Sequence, residues 1–124
     1  MNHCILMGII CKGFENLTTQ NGLKISKGTI GVKRNYKNSE GTYDTDFIKF
    51  FAYGNLSERM EKYVKEKDRI ILIGEWCVRK YTLQDGKQVT SNELMVKDLQ
   101  FLPKQTQEPQ EKINKNYNES FGGQ

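Results

Sequence analysis

Asp44-Thr45-Asp46-Phe47-Ile48-Lys49-Phe50-Phe51-Ala52-Tyr53-Gly54-Asn55 decides how this chain reads. Alternate residues of a strand share a face. Phe47, Lys49, Phe51 and Tyr53 therefore line up on one side, with Ile48, Phe50 and Ala52 on the other, before a Gly-Asn turn. The second set suits a core. The first carries an ammonium group and a phenol hydroxyl, which a sealed core does not need. Rings interleaved with a cation suit a nucleic-acid strand, because bases stack on rings and phosphates pair with cations. A strand buried on both faces, with Lys49 snorkelling to water, is the alternative that this stretch alone leaves open.

Outward from this strand, apolar runs alternate with turn signals. A first strand spans about 2–11 and a second about 23–36, separated by the turn cluster Thr18-Thr19-Gln20-Asn21-Gly22. The polar loop Lys37-Asn38-Ser39-Glu40-Gly41 makes 23–53 a long hairpin. A helix is expected from Asn55 to about Lys67, capped by Asn55 or Ser57, with Leu56, Met60, Tyr63 and Val64 on its apolar face. A fourth strand runs from Arg69 to Tyr81, an Asp85-Gly86 turn follows, and a fifth spans about 88–102. The pattern is all-β with one helix between the third and fourth of five strands. That is the layout of a five-stranded OB-fold Greek-key barrel, with a small sandwich as the open alternative.

Composition changes at Pro103. Residues 103–124 are rich in Gln, Lys, Asn and Glu, with Ile113, Tyr117 and Phe121 as the large apolar residues. Such a segment cannot bury enough surface to offset chain entropy, so it reads as a disordered C-terminal tail behind a single domain over 1–102. Residues 1–102 hold 16 Lys and Arg against 12 Asp and Glu, which accounts for the whole net charge of +4. Mild basicity fits a polyanion partner without requiring one. No apolar run approaches the roughly 20 residues of a membrane helix. The N-terminal residues lack a basic segment and a small-residue cleavage site, so no signal peptide and a cytoplasmic location are expected. Cys4, Cys11 and Cys77 are odd in number and form no CxxC pair, and His3 is the one histidine. Reduced thiols and no metal or other cofactor follow.

Several segments together resemble the bacterial and phage single-stranded DNA-binding (SSB) family, across Met1 to about Leu102. Asn2-His3-Cys4-Ile5-Leu6-Met7-Gly8 looks like its opening strand, and Asp46-Phe47-Ile48 with Ala52-Tyr53-Gly54 like its third. Tyr63-Val64-Lys65 looks like its helix end; Gly74-Glu75-Trp76, Arg79-Lys80-Tyr81 and Asp85-Gly86 resemble its fourth strand and hairpin. The resemblance implies an OB-fold protomer, usually a homotetramer with a homodimer as the alternative, whose subunit contacts involve the first strand. It implies sequence-nonspecific single-stranded DNA binding in replication, recombination and repair, and no catalysis.

By motif position, the family's stacking platforms fall on Tyr36, Phe47, Tyr53 and Tyr81; tryptophan is common at several of them elsewhere. Lys33, Arg34, Lys49 and Arg79 are the candidates for phosphate contact, ahead of Lys12, Lys37, Lys80 and Lys87. Plain packing is the competing role for the rings, and solvated surface charge for the cations. If Arg79 and Tyr81 face DNA, alternation sends Trp76, Val78 and Lys80 to the other side, unless a β-bulge between 76 and 81 reverses the parity. Trp76 is then a core or subunit-contact residue with a weak fluorescence response to DNA. Cys77 and Asn55 stand where the family often has a basic residue, and Glu66-Lys67-Asp68 replaces a basic, glycine-containing stretch.

Cellular members end in an acidic run with an apolar tip that recruits replication and repair enzymes. Here Tyr117-Asn118-Glu119-Ser120-Phe121-Gly122-Gly123-Gln124 has one acid, which points to a phage or mobile-element type, with a specialised paralogue or a truncated chain as alternatives. With the acidic tip absent, recruitment of replication and repair proteins is left open, with Phe121 as a degenerate anchor the alternative. Two other functions remain to be weighed. An SSB-like domain working mainly in protein contacts, such as a primosome accessory, would not need the ring-and-cation face. A nuclease would need clustered carboxylates for metal ions, and Asp44 with Asp46 is the one such pair near that face.

Overall fold

The computed structural model describes residues 1–103. Its elements are β1 (Cys4–Ile10), β2 (Glu15–Thr18), β3 (Lys24–Lys37), β4 (Tyr43–Tyr53), α1 (Gly54–Tyr63), β5 (Arg69–Thr82) and β6 (Gln88–Phe101). The strands hydrogen-bond in the order β1-β5-β6-β4-β3, and β1 pairs β3 to close the ring. This is a five-stranded OB-fold Greek-key barrel with α1 between the third and fourth barrel strands. All neighbours are antiparallel except β4 and β6, whose parallel seam spans Lys49–Phe51 against Glu93–Met95. The closing seam is shorter still, Ile9 with Gly31 and Ile10 with Ile30. Gly8 permits that closure, because a Cβ there would run into the Gly31 carbonyl oxygen.

Alternation in β4 builds the core as its sequence requires. Phe50 and Ala52 point inward among Ile10, Ile30, Ile70, Leu72 and Leu94, with Ile48 packed at the margin. Met60 and Val64 add to this core from α1 and the residue that follows it. Burial of side chains of this size contributes about 1.5–3 kcal/mol each. A polar clamp fixes the helix: the buried Ser26 and Ser57 hydroxyls lie 2.7 Å apart, and Ser26 Oγ donates to Asn16 Oδ1 at 2.6 Å.

Three hairpins use one device. In 19–23, 38–42 and 83–87 the first residue's N–H donates to the fifth residue's carbonyl, and the fourth residue's N–H donates to the first's carbonyl. The fourth residue is Gly22, Gly41 or Gly86, each with φ between 84° and 87°. A left-handed residue closing a three-residue loop lets the strands keep their twist, and glycine adopts it without steric cost.

The helix differs from its expected form. It ends at Tyr63 rather than Lys67, and Tyr53 takes the N-cap position with no side-chain capping bond, in place of Asn55 or Ser57. Ser57 is turned inward to Ser26, and Tyr63 is exposed rather than part of the apolar face. The early stop is imposed by β1: Ile10 donates to the Asp68 carbonyl, and Lys67 N–H donates back to Ile10. Lys67 has φ 74° there, a left-handed turn in the stretch where the resembled family carries glycine. A short strand absent from the expected pattern, β2, is exposed along its length and extends the hairpin with β3. No helix among the described residues is long and apolar enough to cross a membrane, which says nothing of spanning strands. The tail expected over 103–124 lies, from residue 104 on, outside the described residues.

Candidate nucleic-acid interface

The outer row of β4 lies open to solvent at both ends. Phe47 is 69 % exposed and Tyr53 39 %, with Lys49 exposed between them. Phe51, in the same row, is 3 % exposed yet lies outside the core cluster. It is covered from outside: the Arg79 guanidinium lies 4.5 Å above its ring, and Tyr53 packs edge-on with centroids 5.3 Å apart.

Arg79 comes from β5, which crosses to this face through β6. Register from Gly74 to Thr82 against β6 is unbroken, and the irregularity falls earlier, between Ile73 and Gly74. No bulge therefore reverses the parity between 76 and 81. Arg79 and Tyr81 share the groove side with Cys77, while Trp76 and Val78 face the other way. Trp76 is 38 % exposed rather than sealed in the core. Its backbone is tied to the N-terminal segment, since Trp76 N–H donates to Asn2 Oδ1 at 2.8 Å and Asn2 Nδ2 donates to the Trp76 carbonyl at 2.7 Å.

The Arg79 guanidinium sits 5.4 Å from the Tyr81 ring, and both residues reach a buried carboxylate, Glu93 of β6. Tyr81 Oη donates to Glu93 Oε2 at 2.6 Å, and Arg79 Nη1 lies 3.7 Å from Oε1. The hydrogen bond to Glu93, then burial and the nearby negative charge, raise the Tyr81 pKa above the phenol range. The hydroxyl thus stays a donor at neutral pH. Alongside runs a cleft of about 530 Å³, lined by Lys27, Thr29, Lys49, Tyr81, Ser91 and Glu93 among others.

Lys33 and Arg34 part company on the long β3–β4 arm. Gly31 pairs with Phe47 and Lys33 with Thr45, so Lys33 shares the outer face with Phe47; its ammonium lies 4.7 Å from the Tyr43 ring centroid. Arg34 joins Asp46 on the reverse of the arm, donating through Nε at 3.0 Å and Nη2 at 2.9 Å. Tyr36 accompanies it, with its hydroxyl 3.4 Å from Arg34 Nη1. The pairing lowers the Asp46 pKa and holds the Arg34 charge more firmly. Asp44, its companion in the carboxylate pair, accepts from Asn38 Nδ2 at 3.0 Å.

The structure thus brings together Phe47, Lys49, Tyr53, Arg79 and Tyr81, adds Lys33 along the arm, and leaves Tyr36 and Arg34 behind it. Three further residues on the face escaped the sequence reading. Tyr43 is 44 % exposed and four residues from Phe47, so strand parity could have found it. Lys27 pairs with Phe51 across β3–β4, which only the register reveals. Glu93 gave no local signal.

Residues 1–102 match the sequence model of the Single-strand binding protein family. The chain is 28% identical to Single-stranded DNA-binding protein 1 of Staphylococcus aureus (strain MSSA476), over all of this chain and 80% of that protein. It is 31% identical to a Single-stranded DNA-binding protein of Bacillus cereus, over 82% of this chain and 60% of the relative. Among solved structures, the Plasmodium falciparum SSB complex with ssDNA superposes with a TM-score of 0.74 at 19% identity, covering 83% of this chain and 96% of that one. At that identity the likeness concerns the fold.

Proposed function

The chain belongs to the single-strand binding protein family, and from that membership we propose that it binds single-stranded DNA without reading its sequence. Bases would lie on Phe47, Tyr53 and Tyr81, while Lys49, Arg79 and Lys33 meet the phosphates, with Lys27 and Tyr43 extending the track. One observation carries the reading: two solvent-open rings flank an exposed lysine on a single strand, opposite a hairpin that presents an arginine and a tyrosine. Tyr36 and Arg34 can join if the strand wraps around the arm. The domain over 1–102 would act as a binder in replication, recombination and repair rather than as a catalyst, in the cytoplasm where that DNA lies.

The test is anisotropy of labelled oligo-dT titrated at several salt concentrations. Trp76 faces away from the groove and makes a poor reporter. Affinity should fall with salt by about 0.7 log units per log unit for each phosphate neutralised. Absence of salt-dependent binding would overturn the reading and favour a protein-contact domain.

A second surface supports self-association. Ile5, Met7 and Ile9 of β1 are each about half exposed in one row (58 %, 54 % and 47 %). Ile73 and Ile71 pair beside the first two. An apolar strip of this kind needs a cover, and a second copy through β1 supplies one. A homotetramer built on such pairs, with a homodimer as the smaller form, is the assembly we infer; light scattering with and without oligo-dT checks it.

A further inference from the structure

A buried carboxylate is costly unless it is hydrogen-bonded and paired. Glu93 is 6 % exposed, and its side-chain partners among the described residues are two groove groups, the Tyr81 hydroxyl and the Arg79 guanidinium. It supports no core atom or turn. The fold places it at a junction: β6 pairs Glu93 with Lys49 of β4 on one side and with Cys77 of β5 on the other.

Above it the side chains form layers. Arg79 lies between Phe51 and Tyr81, at 4.5 and 5.4 Å from their centroids. Both distances fall inside the range of about 6 Å for cation–π attraction. Phe51 is therefore a seat for Arg79 rather than an open platform. Tyr81 gives one face to the guanidinium and keeps the other for a base. Its ring is held at the far end by the 2.6 Å bond to Glu93, as an untethered phenylalanine or tryptophan at this position would not be.

We propose that Glu93 is a positioning residue of the groove: it locks Tyr81 and Arg79 into one stack over Phe51, setting the plane on which a base lies and withholding part of the Arg79 charge from the phosphates. The inference rests on reading this face as a single-strand groove. It assigns the Tyr81 hydroxyl a role apart from ring area, and it makes an acid a determinant of how steeply binding depends on salt.

The experiment measures oligo-dT affinity against salt for the full chain, Tyr81→Phe, Glu93→Gln and the double variant, with folding followed by circular dichroism. Tyr81→Phe keeps the ring and should weaken binding about 3- to 10-fold, the scale of one lost hydrogen bond, with some loss of thermal stability because the buried Glu93 keeps a single partner. Glu93→Gln should steepen the log–log salt slope by up to about 0.7, one extra phosphate's worth, as Arg79 is released. Glu93→Gln should also weaken binding at high salt, because an amide oxygen accepts from Tyr81 less strongly than a carboxylate. In the double variant the two high-salt losses should not multiply, because both act through one bond. A purely structural Glu93 would lower stability and leave the slope alone. Wild-type affinity in Tyr81→Phe, or an unchanged slope in folded Glu93→Gln, overturns the proposal. If Glu93→Gln fails to fold, Tyr81→Phe decides alone. Failure of the wild-type chain to bind is the separate result that removes the groove itself.

Discussion

Two outward strand rows on this barrel expose apolar side chains. On β4, Phe47 and Tyr53 flank Lys49, and Arg79 and Tyr81 come in from the next strand but one. On β1, Ile5, Met7 and Ile9 follow one another with only Leu6 and Gly8 between. The exposures are similar and the chemistry is not. Rings beside cations form a surface that can be left in water and still gain from a charged, flat-sided polymer. Aliphatic side chains without charge gain only from exclusion of water, so they match a surface like themselves. Exposure alone does not name a partner; the spacing of charge within the exposed row does.

The sharpest way to break this contrast is to put a charge into the β1 row. Met7→Glu should cost about 3–5 kcal/mol of association, the penalty of an uncompensated buried charge. Sedimentation should then show protomers, while a protomer's own affinity for a short oligo-dT stays near wild type. Parallel loss of both would mean that the two rows are not independent. Next in size is Phe47→Ala, which removes a ring that is 69 % exposed and so should leave the melting temperature unchanged. Loss of about 1–3 kcal/mol, or roughly 5- to 150-fold in Kd, is expected from one stacked base. Lys49→Gln should act on charge alone, reducing the salt slope by about 0.7.

The smallest effect should come from the reverse of the arm. Asp46→Asn releases Arg34, and binding should tighten slightly with a steeper salt slope. The same pair gives a pH signature in thermal melts. Asp46 has its pKa lowered in the folded chain from 3.8, so its contribution is complete above that value and is lost as pH falls below it. Melts of Asp46→Asn and wild type should therefore converge only in strong acid.

Much of this was legible in order. Period-two alternation in 47–53 placed Phe50 and Ala52 inside and Phe47 outside, because one strand obeys its own geometry wherever it is put. Glycines after Asn21 and Asp85 marked turns for the same local reason. What failed was non-local. Helical spacing runs on through Tyr63 and Val64, but Ile10 fixes the chain at 67–68, donating to the Asp68 carbonyl and accepting from Lys67 N–H, and ends the helix early. β2 has no apolar alternation to announce it, since its order comes from pairing with β3. Phe51 was assigned to the right face without warning that Arg79 would cover it. Glu93 reaches the site only because β6 runs parallel to β4 over three residue pairs, a fact that no window of sequence contains.

That short parallel seam has a mechanical consequence. Three rungs hold β4 to β6, far fewer than the thirteen between β5 and β6. Local opening is easiest where few bonds must break together, so amide protons along this join should trade with deuterated solvent sooner than those of the long hairpins. A nucleotide chain resting on Lys49 at one bank and Tyr81 at the other would act as a suture, and slower exchange at 49–51 and 93–95 would be its mark.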